Sequence, residues 1–228
     1  MTVNARYDGS SRFGANNRYG LFPGVSASWL ISEEKFFKGV KFLDFLKLRA
    51  GYGTTGNDQI GNFESKGTFG VGGVLGFNNG VYNARPGIQF NNLASPNLSW
   101  EKNTTLDLGL EVGLLNDAVF LDLGYFNRKS TDLLLGQQVP WTSGTGTVTR
   151  NLGTLVNRGF EGSVTLKLFS SSKFEWKTQF NIAVIDNVVE KLYDGIVKQQ
   201  NVDSLTLLTI ADVNNVNFVV AEGFPIGV

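Results

Sequence analysis

Four carboxylates, Asp107, Glu111, Asp122 and Glu161, are the side chains in this sequence best placed to do chemistry. Two acids facing each other across a sugar can divide the acid and nucleophile or base roles of glycoside hydrolysis. These acids, however, recur on the wet face of several strand-like segments, where hydrated groups are expected. The chain has no His and no Cys. That removes Ser-His-Asp and Cys-His nucleophile systems, thiolate zinc sites and disulfides together. Asp8-Gly-Ser-Ser resembles the start of a calcium loop but lacks the spaced acids and the closing Glu, and it reads as a turn. Gly70-Val-Gly-Gly-Val-Leu-Gly lacks the Lys-Ser/Thr and following helix of a phosphate loop. Trp141, in a Gly/Thr-rich stretch, is the one substrate-binding candidate, able to stack on a sugar ring; an interfacial anchor is its other role. No catalytic, cofactor or metal residue is assigned.

The acids are carried by alternating segments. Leu106, Leu108, Leu110 and Val112 oppose Thr105, Asp107, Gly109, Glu111 and Gly113. After a polar turn at Asn116-Asp117, Val119, Leu121, Leu123 and Tyr125 oppose Phe120, Asp122, Gly124 and Phe126. Strands send alternate side chains to opposite faces, so this is a hairpin with one oily and one wet side. Acids and glycines opposite an aliphatic row suit a membrane barrel better than a sandwich core.

The same unit recurs along the chain. Val3, Ala5 and Tyr7 end one strand; Val25, Ala27, Trp29 and Ile31 line another, and Leu46, Leu48, Ala50 and Tyr52 a third. Phe160 to Leu168 and Trp176 to Val184 give two more, and the hairpin's second strand is expected to run on through Leu133 and Leu135 to Val139. Ser32 to Phe37 reads as one helical turn with Ser32 as N-cap. Residues 54–99 are irregular, with a hairpin expected near Phe69 to Phe77; Trp141 to Arg150 reads as a loop tip, and Val197 to Val220 is ambiguous. Connections at 9–20, 54–99 and 140–150 are long or Gly-rich, whereas those at 114–117 and 169–174 are short. Long loops on one side and short turns on the other mark an outer-membrane barrel. Tyr7, Trp29, Phe45, Trp100, Tyr125 and Trp176 are expected in its aromatic girdles, and Arg6, Arg12 and Arg18 with Asp8 in an ion-pair network bracing a loop.

Composition agrees with an all-β reading. The 228 residues include 28 Gly and have a formal net charge of zero, which disfavours binding to nucleic-acid phosphates. No apolar run reaches the roughly 18 residues of a membrane helix. The first residues lack a basic region followed by an apolar core, so the chain is expected to be an internal piece of a longer protein.

Several segments resemble the C-terminal barrel half of SusC/RagA-type TonB-linked outer-membrane transporters of Bacteroidetes. They are Arg6-Tyr-Asp-Gly-Ser-Ser-Arg-Phe-Gly14, Asn17-Arg-Tyr-Gly-Leu-Phe-Pro23, Leu48-Arg-Ala-Gly-Tyr-Gly-Thr-Thr-Gly-Asn57 and Ile60-Gly-Asn-Phe63. Asn97-Leu-Ser-Trp-Glu101, Asn151-Leu-Gly-Thr-Leu-Val-Asn-Arg-Gly-Phe-Glu161 and Glu222-Gly-Phe-Pro-Ile-Gly227 complete the set. The resemblance implies an antiparallel transmembrane β-barrel of about 22 strands, here as a fragment: residues 1–228 would be a partial barrel domain without the plug, the N-terminal extension and the final strands. It implies a non-enzymatic importer of oligosaccharides or peptides in the cell outer membrane. Its partners would be a SusD-like surface lipoprotein, outer-membrane lipid and the TonB-ExbB-ExbD complex, reached through the missing N-terminal part. A passive porin or autotransporter piece and a soluble β-sandwich binding module are the alternatives.

Overall fold

The computed structural model describes residues 1–37, 42–71, 81–82, 85–86, 88–171, 173–192, 209–213, 216–219 and 222–225. Its strands, in chain order, begin with β1 (Thr2–Gly9), β2 (Tyr19–Leu30) and β3 (Leu43–Asn57). Four short strands follow: β4 (Thr68–Val71), β5 (Val81–Tyr82), β6 (Arg85–Pro86) and β7 (Ile88–Asn92). Then come β8 (Glu101–Leu114), β9 (Val119–Thr131), β10 (Leu134–Gln138), β11 (Thr147–Asn151), β12 (Thr154–Ser170) and β13 (Glu175–Lys191). The last pair is β14 (Thr209–Val213) and β15 (Val216–Val219).

Seven of these form one antiparallel sheet in the order β1-β2-β3-β8-β9-β12-β13, an up-and-down meander without crossovers. The sheet is not closed, and β1 and β13 are its edges. Short ribbons, β4-β7, β5-β6 and β10-β11, belong to the connections on one end. That end carries 10–18, 58–100 and 132–153, whereas the other carries 31–42, 115–118 and 171–174. The short turns are chemically specified. Leu115, Asn116 and Asp117 all take positive φ, and the Asp44 carboxylate accepts from the Asn116 and Asp117 amides at 2.6 and 3.3 Å. At 171–174 the Ser171 hydroxyl accepts from the Phe174 amide. Asn and Asp tolerate this left-handed backbone at least cost, which is why the turn is polar.

Register separates the two faces. Ala27, Ala50, Leu108, Tyr125, Phe160 and Val184 form one continuous row of partners, and Trp29, Leu48, Leu110, Leu123, Gly162 and Ile182 the next. On the opposite face Lys47, Glu111, Asp122, Ser163 and Asn181 align, as do Ser28, Arg49, Gly109, Gly124, Glu161 and Ala183. The apolar face is uncovered: Leu108 is 45% exposed, Phe160 66% and Ile182 68%. A patch of this extent is untypical of a surface in water. The apolar band begins higher on β2, at Tyr19 and Leu21, than on β12, at Phe160, so its margin runs obliquely across the paired rows. Strands tilted to a membrane normal produce such a slope.

Several sequence expectations are corrected. Ser32 caps no helix; Ile31–Glu33 and Lys35–Phe37 are two 3-10 turns broken by extended Glu34, and Leu30 at the N-cap makes no side-chain bond. The third strand runs on through residues 54–57, since Thr54 to Asn57 still pair with Thr104 to Glu101. β9 does not continue to Val139. Asp132 takes φ +57 after Thr131, and Leu134–Gln138 leaves the main sheet to pair with Thr147–Asn151. Residues 141–150 are therefore a 3-10 turn at Trp141–Ser143 followed by strand β11, not a bare loop tip. Of the hairpin expected near Phe69 to Phe77, Phe69 to Val71 belong to β4, which pairs with β7, and residues 72–80 lie outside the described residues. Of the ambiguous stretch from Val197 to Val220, β14 and β15 are described and the rest lies outside the described residues.

Candidate functional site

The polar face of β3, β8 and β9 carries a linked ion cluster. Lys47 Nζ lies 3.1 Å from Glu111 Oε1, and Arg49 reaches both Glu111 at 3.5 Å and Asp122 at 2.7 Å. Arg49 starts on β3, so it must cross β8 to meet Asp122 on β9. Gly109 makes that crossing possible. A Cβ placed there would sit 1.9 Å from Arg49 Nε, so the guanidinium lies flat in the space that glycine leaves. Beside the cluster a groove of about 520 Å³ is lined by Lys47, Arg49, Asp107, Arg128 and Glu161 among others.

The four acids are thereby placed. Glu111 and Asp122 are cross-strand partners held by two cations, and Asp107 and Glu161 lie on the same face in neighbouring rows. They are not an isolated facing pair; they are part of a mixed-charge wall. Lys47 and Arg49 are the members that sequence reasoning did not single out, although their two-residue spacing on the wet side of β3 was the available signal.

A second assembly gathers the loops at the long-loop end. Phe13, Phe22, Leu98 and Trp100 form a buried cluster, with Trp100 ring centroids 5.2 Å from Phe13 and 5.3 Å from Phe22. The Trp100 indole N–H donates to the Arg18 carbonyl at 3.0 Å, which also accepts from the Ser10 amide. Gly14 and Gly56 are required by contact here. A Cβ on Gly14 would lie 1.7 Å from the Pro96 carbonyl oxygen, and one on Gly56 would lie 2.2 Å from Phe22. Ser10 Oγ donates to Asp58, whose backbone carbonyl accepts from Arg12. Asn151 closes the assembly: its amide oxygen accepts from the Ser99 N–H at 2.8 Å, and its Nδ2 donates to the Ser99 and Asp132 carbonyls at 2.8 and 2.9 Å. The segments 10–18, 58–100 and 132–153 are thus tied into one block.

The expected arginine network is accordingly split. Arg6 pairs with Asp8 at 2.6 Å, Arg12 pairs instead with Asp58, and Arg18 enters through its backbone carbonyl. The girdle assignment is also revised. Tyr7, Trp29, Tyr125 and Trp176 do lie on the apolar face, where Tyr7 stacks on Tyr19 at 5.4 Å. Trp100 is buried in the loop block, and Phe45 lies on the polar face beside Phe120, in step with Lys47 and Arg49 on the same strand. Trp141 opens the 3-10 turn; its side chain lies outside the described residues.

Known proteins share this architecture. Residues 1–215 match the family described as TonB dependent receptor-like, beta-barrel. The chain is 37% identical over 200 residues to the TonB-dependent receptor SusC of Bacteroides thetaiotaomicron, covering 86% of this chain and 20% of that protein. It is 35% identical over 195 residues to a TonB-dependent receptor of Formosa agariphila, covering 85% and 18% respectively. Among solved structures, the RagAB peptide importer in its closed-closed state aligns with a TM-score of 0.79 at 26% identity, over 98% of this chain and 23% of that one. The chain spans about a fifth of the length of the curated relatives it matches. An open meander with an apolar and a charged face, matching that family over nearly its whole length, belongs to the TonB-dependent receptor β-barrels of the outer membrane and is SusC/RagA-like within them.

Proposed function

We propose that residues 1–228 form one stretch of the barrel wall of an outer-membrane importer driven through TonB. Its cargo is oligosaccharide or peptide, and its extracellular mouth works with a SusD-like lipoprotein. The observation that carries this reading is the sheet's division into a continuous exposed apolar face and a face lined by Lys47, Arg49, Glu111 and Asp122. Lipid outside and a hydrated interior inside require that division. A soluble sandwich would need a second layer over Leu108, Phe160 and Ile182, and these are exposed. RagAB is a peptide transporter, and the kinship to SusC and RagA supports active import over passive diffusion.

The polar wall works as a lining, not as a reaction centre. Lys47, Arg49, Glu111 and Asp122 pair across strands, so the wall presents a hydrated surface of mixed charge to whatever occupies the interior. The test is uptake by the full-length protein that contains this chain, in cells with and without a functional TonB complex. Accumulation of labelled oligosaccharides or oligopeptides that stops when TonB is removed is the expected result. Equal uptake without TonB would establish a passive pore instead.

A further inference from the structure

We propose that the outward face of β8, β9, β12 and β13 carries a binding site for the phosphorylated headgroup of the glycolipid in the outer leaflet. The inference goes beyond import and rests on the outer-membrane location alone. Above the apolar row Leu108-Tyr125-Phe160-Val184, the next outward row holds Leu106, Asn127, Arg158 and Asp186. The following rows place Lys129 beside Thr104 and Val156, and then Lys102 and Lys191 at the two ends of a row completed by Thr131 and Thr154. Arg158 is held by Asp186 at 2.9 Å and Lys129 by Glu190 at 2.5 Å, all with side chains about half exposed. Four cations against these two acids, with Glu222 accepting from the Leu192 amide beside Lys191 as a third, leave the patch with a surplus of positive charge.

The patch is one-sided in two respects. At the short-turn end the outward positions Leu114, Val119, Leu166 and Thr178 carry no charge. On β1, β2 and β3 the outward residues Val3, Tyr7, Leu21, Val25, Leu48 and Tyr52 carry none either. Among the described strand residues, outward cations are thus confined to the long-loop end of adjacent strands, the end that faces outside in an outer-membrane barrel. Each step of two residues rises about 5 Å along a strand tilted near 40°. Arg158 and Lys129 therefore sit just above the hydrocarbon, where headgroup phosphates lie, and Lys102 and Lys191 sit one layer higher. Basic clusters at that depth recognise anionic headgroups, and Arg158 can meet a phosphate with two parallel N–H donors.

The experiment uses the full-length protein in nanodiscs, with diphosphoryl lipid A and its dephosphorylated form as probes. Retention of each lipid is read by native mass spectrometry. Wild type is expected to retain the phosphorylated lipid at least about tenfold over the dephosphorylated one, with the preference lost at high salt. Combining Lys102→Gln, Lys129→Gln, Arg158→Gln and Lys191→Gln should abolish the preference in protein that still shows the heat-modifiable migration of a folded barrel. Arg128→Gln, on the polar face next to Lys129, should leave it intact. Equal retention of the two lipids by wild type, or an undiminished preference in the combined variant, overturns the site. Should the combined variant not fold, the wild-type comparison of the two lipids decides alone. TonB-dependent uptake is measured separately, so loss of either reading leaves the other testable.

Discussion

Gly109 and Asn151 show how much of this structure hangs on single positions. Arg49 spans β8 only because Gly109 has no Cβ, and its bond to Asp122 is the shortest in the polar-face cluster. Gly109→Ala should push the guanidinium off Asp122 at a cost of about 1 kcal/mol, the upper range for a half-exposed ion pair. In an Arg49→Ala background the same change should cost nothing. A double-mutant cycle on thermal unfolding of the full-length protein reads the difference, and additive effects would show that Arg49 does not depend on the glycine. Asn151 bonds to three backbone groups, two on Ser99 and one on Asp132 at the start of its own segment. Asn151→Ala leaves those groups unpaired and should destabilise the loop block by about 1–3 kcal/mol. Limited proteolysis should then cut residues 132–153 faster, and unchanged cleavage would show that the Asn151 bonds do not hold the block.

At the scale of elements, parity is the organising fact. Phe160 and Glu161 are neighbours in β12 but point to opposite faces. Val164→Lys, on the same outward face two rows deeper than Phe160, should cost about 2–4 kcal/mol in folding into a bilayer, as a Lys near the midplane of a barrel's lipid face does. Glu161→Lys should cost well under half of that, and comparable losses at both positions would mean the faces are not distinct. Period-two patterning was legible wherever a strand was unbroken, which is why β8, β9 and the turn between them were readable from Leu106 to Phe126. It failed where the backbone breaks parity. The left-handed Asp132 ended β9 although Leu133 and Leu135 kept the alternation going, whereas Phe45 shares the parity of Lys47 and Arg49, and its girdle assignment followed residue type against that parity. Trp100 was misplaced because an aromatic with a polar N–H suits a membrane interface and a loop core equally well by type. Asn151 left no signal as a brace, since its partners are backbone groups of residues far off in the chain.

For the whole molecule, the sheet has an inside and an outside but no closure of its own. Its edges β1 and β13 offer unpaired backbone groups that further strands of a barrel would satisfy. Hydrogen bonds of Trp100 and Asn151 tie described residues of 10–18, 58–100 and 132–153 together at the end opposite the short turns. Lipid on one side and water on the other is the condition on which the barrel assignment and the headgroup patch both stand. The direct measurement is substituted-cysteine accessibility, since this chain has no cysteine of its own. Single cysteines at successive positions from Thr104 to Val112 and from Val119 to Phe126, spin-labelled in the full-length protein in bilayers, should alternate. Leu108, Leu110, Leu121 and Leu123 should favour collision with oxygen in the lipid, and Asp107, Glu111 and Asp122 with a water-soluble nickel chelate. Labels at all positions meeting the nickel chelate equally, without alternation, would contradict the membrane-wall reading.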